Sequence, residues 1–135
     1  MSKDIFLFYK IMSVQIVKKF NEIVNAFLLQ ITPMVGPKYH NKFELITKLN
    51  SSLIIERFLV HALPVRDYIL NKDENYFLDT LCNTGEQSTI NEFVKIKTVY
   101  IQLDEKTKAT VWDMTAVLLF LGEEYIRQNK DKFTK

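Results

Sequence analysis

Apolar residues recur every three or four positions along most of the chain, which is the spacing of one face of an α-helix. The clearest case runs over residues 13–31, with Lys and Glu side chains on the opposite side. The apolar line of this helix contains Val17, Phe20, Val24, Phe27 and Ile31. Pro33, Gly36 and Pro37 follow closely, and they predict that the helix ends before Pro33.

The same spacing predicts two more helices directly after this first one. The first covers residues 38–49 and the second covers residues 53–63, separated by the polar, cap-forming Asn50 and its two serine neighbours. Pro64 disfavours helical geometry at the residue before it, so it ends the second of these helices. Because residues 53–63 carry little polar surface, this helix is expected to lie at the centre of the fold.

Capping signals predict where the later helices begin. Asn71 and Glu74 have the spacing of a capping box, which favours a short helix directly after them. A loop around Gly85 then leads to a helix over residues 89–103. Asp104 is a suitable N-cap for a last helix, which runs to about residue 128 and carries the single tryptophan.

These elements predict an all-α fold, a compact single-domain bundle of five to seven helices. Ten Phe and six Tyr against three Gly and three Pro favour long helices around an aromatic-rich core. Residues 1–12 are interpreted as an N-terminal extension or arm, because Met12 offers an alternative start. Residues 13–128 form the predicted helical domain, and residues 129–135 form a basic tail.

Charge and cysteine content narrow the functional classes. Eighteen basic and sixteen acidic residues give a net charge of +2, too balanced to attract nucleic acid by charge alone. Cys82 is the only cysteine, which excludes an intramolecular disulfide and a cysteine-based zinc site. This usage favours an intracellular protein. The apolar run at residues 5–9 is too short to span a membrane.

No residue pattern points to catalysis, a metal or a cofactor. The chain has no glycine-rich phosphate loop, no serine nucleophile elbow and no His-Glu-x-x-His. His61 is expected to be partly buried and hydrogen-bonded, whereas His40 is expected to face water. The carboxylates near Asp73 and Asp79 are interpreted as capping and solvated charge rather than a cation site. The sequence therefore predicts a non-enzymatic protein.

The number of large aromatic side chains exceeds the need of one small core. Phe6, Phe8 and Tyr9 lie at the start of the chain and are predicted to form an exposed patch that binds a protein partner or a second copy. An interaction or structural role is therefore the preferred functional hypothesis.

Two alternatives remain open beside the preferred hypothesis. A nucleic-acid-binding accessory protein would use Lys95, Lys97, Lys106, Lys108 and the basic tail for phosphate contacts. A helical-bundle mimic of a host regulator would instead hold an amphipathic helix in an apolar groove beside a buried central helix.

Three short segments resemble a family of viral proteins. They are Phe20-Asn21-Glu22 in the first helix, the run from Ile69 to Phe77, and the run from Lys106 to Trp112. In this order they resemble short all-helical proteins of large double-stranded DNA viruses. The resemblance implies a viral setting, in the host cytoplasm, a viral factory or the virion, without known catalysis or cofactor.

Overall fold

The computed structural model describes residues 3–80 and 97–129, with the side chains of residues 3–6, 9 and 80 left out. Within these ranges every regular element is helical and none is a strand, so the predicted all-α class is confirmed. The predictions for residues 81–96, including the loop around Gly85 and the surroundings of Cys82, lie outside the described residues.

The described part of the chain contains six α-helical segments, within the predicted range of five to seven. They are α1 (Lys3–Val35), α2 (Lys38–Leu49), α3 (Leu53–Ala62), α4 (Arg66–Leu70), α5 (residues 97–102) and α6 (Glu105–Gln128). A 3-10 turn at Leu63–Val65 and a π-helical turn at Tyr76–Thr80 lie between them.

The helices belong to two compact units. The first unit lies within residues 1–64 and 117–135, and the second lies within residues 65–116. The first therefore contains α1, α2, α3 and the second half of α6, whereas the second contains α4, α5 and the first half of α6.

Helix α1 is longer at both ends than the sequence indicates. It begins at Lys3 rather than near residue 13, because residues 3–12 contain no glycine or proline that would interrupt it. It also continues past Pro33 to Val35, so the expected stop before this proline is wrong. Proline itself adopts a helical φ, so the helix includes Pro33 although one backbone hydrogen bond is lost there, and it ends soon afterwards at Val35. The helix ends at Gly36, whose φ of 80° is left-handed and whose N–H donates to the Thr32 carbonyl over 2.7 Å.

The local signals around α2, α3 and α6 predicted their bounds well. Helix α2 has the predicted ends, and α3 ends one residue before the predicted position. At the start of α6, the Asp104 carboxylate accepts a hydrogen bond of 2.7 Å from the Thr107 N–H, which confirms the predicted cap. Hydrogen bonds from the Thr107 side chain and from its N–H hold the pKa of Asp104 below its usual value.

The prediction that Asn71 and Glu74 form a capping box is wrong. The Tyr76 N–H donates to the Asp73 carboxylate over 3.1 Å, so Asp73 caps the next helical turn. The reason is the backbone of Lys72, whose φ of 52° reverses the chain between Asn71 and Asp73. Glu74 is then available to accept a hydrogen bond from the Tyr100 hydroxyl over 2.5 Å.

The core of the first unit lies where α1, α2, α3 and the second half of α6 meet. Its buried apolar side chains are Ile16, Val17, Phe20, Ile31, Phe43, Ile55, Leu59, Ala62, Leu118, Leu119 and Tyr125. Phe20, Ile55 and Leu119 are the largest side chains that are fully buried. Three of the ten residues of α3 are buried, so this helix contributes to the core, but α1 contributes more buried residues.

Candidate interaction surface

The first half of α1 carries a line of apolar side chains that face away from the core. Leu7, Ile11 and Val14 follow one another at helical spacing and are 55%, 48% and 63% exposed. Phe8, beside this line, is 58% exposed. We call these four residues the α1 stripe. Elsewhere in the described chain, exposed apolar residues also form smaller pairs at helical spacing, such as Leu45 with Leu49 on α2 and Val117 with Phe120 on α6.

The opposite side of the same helix is fixed in the core, and this decides which face points outward. Ser13, Ile16, Val17 and Phe20 are all buried. The Ser13 hydroxyl accepts a hydrogen bond of 2.7 Å from the Asn129 side-chain amide. Because the core and this hydrogen bond hold one side of α1, the stripe cannot turn inward without unpacking the unit.

Charged residues of both signs lie along the line of the stripe. Lys10 and Lys18 are exposed, and Lys18 follows Val14 by four residues on the same line of the helix. Asp4 lies seven residues before Ile11 in the same helix, and Lys18 lies seven residues after it. The stripe is therefore bounded by an acidic position toward the N-terminus and a lysine toward the C-terminus.

Beyond Val14 the stripe leads into an open cleft of about 600 Å³ in the first unit. Its apolar lining comes from Val14, Val17 and Phe43, but polar side chains outnumber them. One of these is Asn21, whose amide donates to the Ser51 carbonyl over 2.8 Å and whose buried oxygen accepts no hydrogen bond from described residues. Although most of the lining residues are polar, most of the surface that the cleft exposes is apolar.

Among the three residues predicted as a partner patch, the structure describes one side chain. Phe8 belongs to the stripe, whereas the side chains of Phe6 and Tyr9 lie outside the description. The other three residues of the stripe, Leu7, Ile11 and Val14, were not predicted as part of a binding patch. Their spacing of four and three residues was a visible signal, but treating residues 1–12 as an extension separated Leu7 and Ile11 from Val14 and from the helix to which all three belong.

Both histidine predictions are wrong. The ring of His40 is only 13% exposed and lies 2.7 Å from the Asn25 side-chain oxygen and 3.2 Å from the Glu44 carboxylate. Both contacts are made by Nε2 of the ring. His61 is exposed on α3 instead. The faces of the helices explain why the two environments are the reverse of those predicted. The buried face of α3 contains Leu59 and Ala62, and His61 does not lie on this face.

The second unit contains a polar and aromatic cluster around the single tryptophan. The Trp112 indole N–H donates to the Tyr100 hydroxyl over 2.9 Å, and this hydroxyl donates to the Glu74 carboxylate. The Trp112 and Phe77 rings meet edge to face with centroids 5.4 Å apart. Tyr76 in turn stacks on Tyr68 with a centroid separation of 3.7 Å. These contacts give the aromatic residues of this unit a packing role.

The lysines of the nucleic-acid hypothesis lie around this cluster or outside the description. Lys97 donates to the Leu78 carbonyl over 3.1 Å. Lys108 is 17% exposed, lies 5.3 Å from the centre of the Tyr100 ring and pairs with Glu105 at 3.5 Å. Lys106 is exposed, and Lys95 is not described. Two of the four lysines are thus engaged inside the second unit.

Burial and, to a smaller extent, the hydrogen bond to Glu74 together raise the pKa of Tyr100 to about 12. The folded state holds the phenolic proton more tightly than the unfolded state does. This contribution to stability is present below pH ~10, the ordinary tyrosine pKa, and is lost as pH rises through about 12. Phenolate absorbance of the native protein is expected to show a late step that Tyr100→Phe removes. A late step that persists in this variant would contradict the assignment.

The described ranges contain no group of three or more His, Cys, Asp or Glu side chains placed to hold a metal ion. The Asp73 carboxylate caps a helical turn, a role that the sequence pattern assigned to Asn71 and Glu74, and Asp79 is exposed in the same segment. No helix within the described ranges combines the length and the apolar content needed to cross a membrane. Comparison of the chain with protein-family models, curated proteins and solved structures gave no match.

Proposed function

We propose that this protein is a non-enzymatic interaction or structural protein that binds a protein partner through the α1 stripe. The observation that carries the proposal is the exposure of Leu7, Ile11 and Val14 in helical register on a helix whose other face is already buried. A contiguous apolar surface of this kind marks an interaction site more often than a solvated face.

The magnitude of the surface supports binding rather than incidental exposure. Four half-exposed large side chains offer on the order of 400 Å² of apolar area, within the range of functional patches. Burying this area contributes about 10 kcal/mol at ~25 cal/mol per Å². Association costs about 4–15 kcal/mol in lost translational and rotational freedom. The gain from burial and the cost of association are therefore of similar size, which favours reversible binding of a partner.

The positions of the lysines give less support to a nucleic-acid-binding role. Lys97 would have to release the Leu78 carbonyl, and Lys108 would have to leave the Tyr100 ring and Glu105, before either contacted phosphate. The remaining described lysine of that set, Lys106, carries a single charge, and phosphate binding gains affinity through several. The viral setting and an assembly role in the virion are part of the proposal on the strength of the sequence resemblance alone.

Site-specific photo-cross-linking in the cells that naturally make the protein tests this proposal. A photoreactive phenylalanine analogue at Ile11 is expected to give protein adducts, whether with another protein or with a second copy. The matched control places the same analogue at Val60 of α3, which is 70% exposed in the same unit but outside the stripe. Equal adduct yield at the two positions, or none at Ile11, would contradict the proposed function.

A further inference from the structure

We propose that the occupant of the α1 stripe is a second copy of this chain, paired antiparallel through a two-fold axis at Ile11. This inference rests on the proposed interaction role and identifies its partner. An isologous contact of this kind uses the same surface on both subunits, so one self-complementary stripe is sufficient.

The register of α1 makes the stripe self-complementary. In an antiparallel helix pair centred on Ile11, positions at equal distances before and after this residue face each other. Phe8 then faces Val14 of the other copy, and Leu7 faces Gln15. Ile11 faces its own counterpart. A large aromatic side chain opposite a small β-branched one gives the alternation of size that close helix packing needs.

The charges at the two ends of the stripe match in the same register. Asp4 and Lys18 both lie seven residues from Ile11, so each Asp4 position faces Lys18 of the other copy. This occurs twice because of the two-fold axis. A parallel arrangement would instead place like charges together. An anionic lipid surface would attract Lys10 and Lys18 but would offer no cation for Asp4.

The area of the stripe sets the expected strength of the pair. A standard interface buries roughly 800 Å² per partner, and the stripe offers about half of this area. The dimer is therefore expected to be reversible and to dissociate on dilution.

Cysteine cross-linking of the purified full-length chain locates the axis. With Cys82 changed to serine, Ile11→Cys is expected to form a disulfide-linked dimer under mild oxidation, because a residue on a two-fold axis faces its own copy. Val60→Cys is the matched control, since it is also exposed in the first unit. Cross-linking at Ile11 is expected to be on the order of tenfold faster than at Val60. Equal rates would overturn the proposal.

Exchanging the charges of Asp4 and Lys18 in the otherwise unchanged sequence tests the antiparallel register without an introduced cysteine. Lys18→Asp and Asp4→Lys are each expected to shift the monomer–dimer equilibrium toward monomer in sedimentation equilibrium. The double variant, which restores the opposite charges across the axis, is expected to recover the dimer. Additive weakening in the double variant would overturn the antiparallel register.

The outcomes separate this inference from the proposed function. A purified chain that stays monomeric at all concentrations overturns the self-pairing. If photo-adducts at Ile11 are then formed with a different protein, the proposed interaction role stands and only its partner changes. If the monomer instead binds vesicles that contain phosphatidylserine through the stripe, the self-pairing is overturned in favour of a lipid surface.

Discussion

Replacing Phe20 with alanine is expected to lower the free energy of unfolding of the first unit by about 3–5 kcal/mol. The ring is completely buried, and it meets the Phe58 ring edge to face with centroids 5.3 Å apart. The variant loses both the burial of the aromatic ring and this contact, and it leaves a cavity between α1 and α3. Urea denaturation followed by circular dichroism measures the effect.

The matched control for this substitution is Phe120→Ala on α6. Phe120 is 51% exposed although it follows the fully buried Leu119, so its truncation is expected to cost much less than that of Phe20. A similar loss of unfolding free energy in both variants would mean that Phe20 is not the centre of this core. The comparison uses the same pair of residue types, both in helices, which removes most differences in side-chain chemistry and helix propensity.

Replacing Gly122 with valine is expected to lower the free energy of unfolding by roughly 1–3 kcal/mol through overpacking. A Cβ atom at this position would lie 2.5 Å from Leu59 Cδ2 and 3.1 Å from Cγ, closer than atoms can pack. Leu59 is itself buried, so its side chain has little room to move away. Valine also restricts its own rotamers in a helix. Thermal unfolding of the variant and the wild type provides the measurement.

A double-mutant cycle with Leu59→Ala identifies this contact as the cause. Leu59→Ala alone is expected to cost about 2–5 kcal/mol, because it opens a cavity. In the presence of Gly122→Val the same truncation also removes the clash, so the combined loss is expected to fall below the sum of the two single losses. Simple additivity of the two effects would contradict the close approach of α3 and α6 at Gly122.

The sequence could predict helix boundaries where the signal is local. Helix α3 ends within one residue of the position that Pro64 predicts. The Asp104 carboxylate caps the start of α6 by accepting a hydrogen bond from the Thr107 N–H. The end of α1 was missed because proline itself adopts a helical φ and can therefore be included shortly before a helix ends. The capping box was missed because it depends on the backbone of Lys72, whose left-handed conformation is not encoded in the residue type.

The candidate surface could not be predicted fully because its direction depends on distant contacts. The spacing of Leu7, Ile11 and Val14 marks one line of a helix, but the sequence does not say whether this line or its opposite is buried. That choice is made where Ser13 meets Asn129, 116 residues away in the chain. The exchanged environments of the two histidines have the same cause. Which face of a helix points inward is set by its neighbours in space.

The central claim is that the α1 stripe serves binding rather than folding, and one measurement tests it most directly. Leu7, Ile11 and Val14 are changed together to glutamine, which has good helix propensity, and the free energy of unfolding is measured by urea denaturation at low protein concentration. It is expected to stay within about 1 kcal/mol of the wild type, because exposed side chains contribute little to the core. A loss of several kcal/mol would contradict the claim, since it would place the stripe in the interior of the fold.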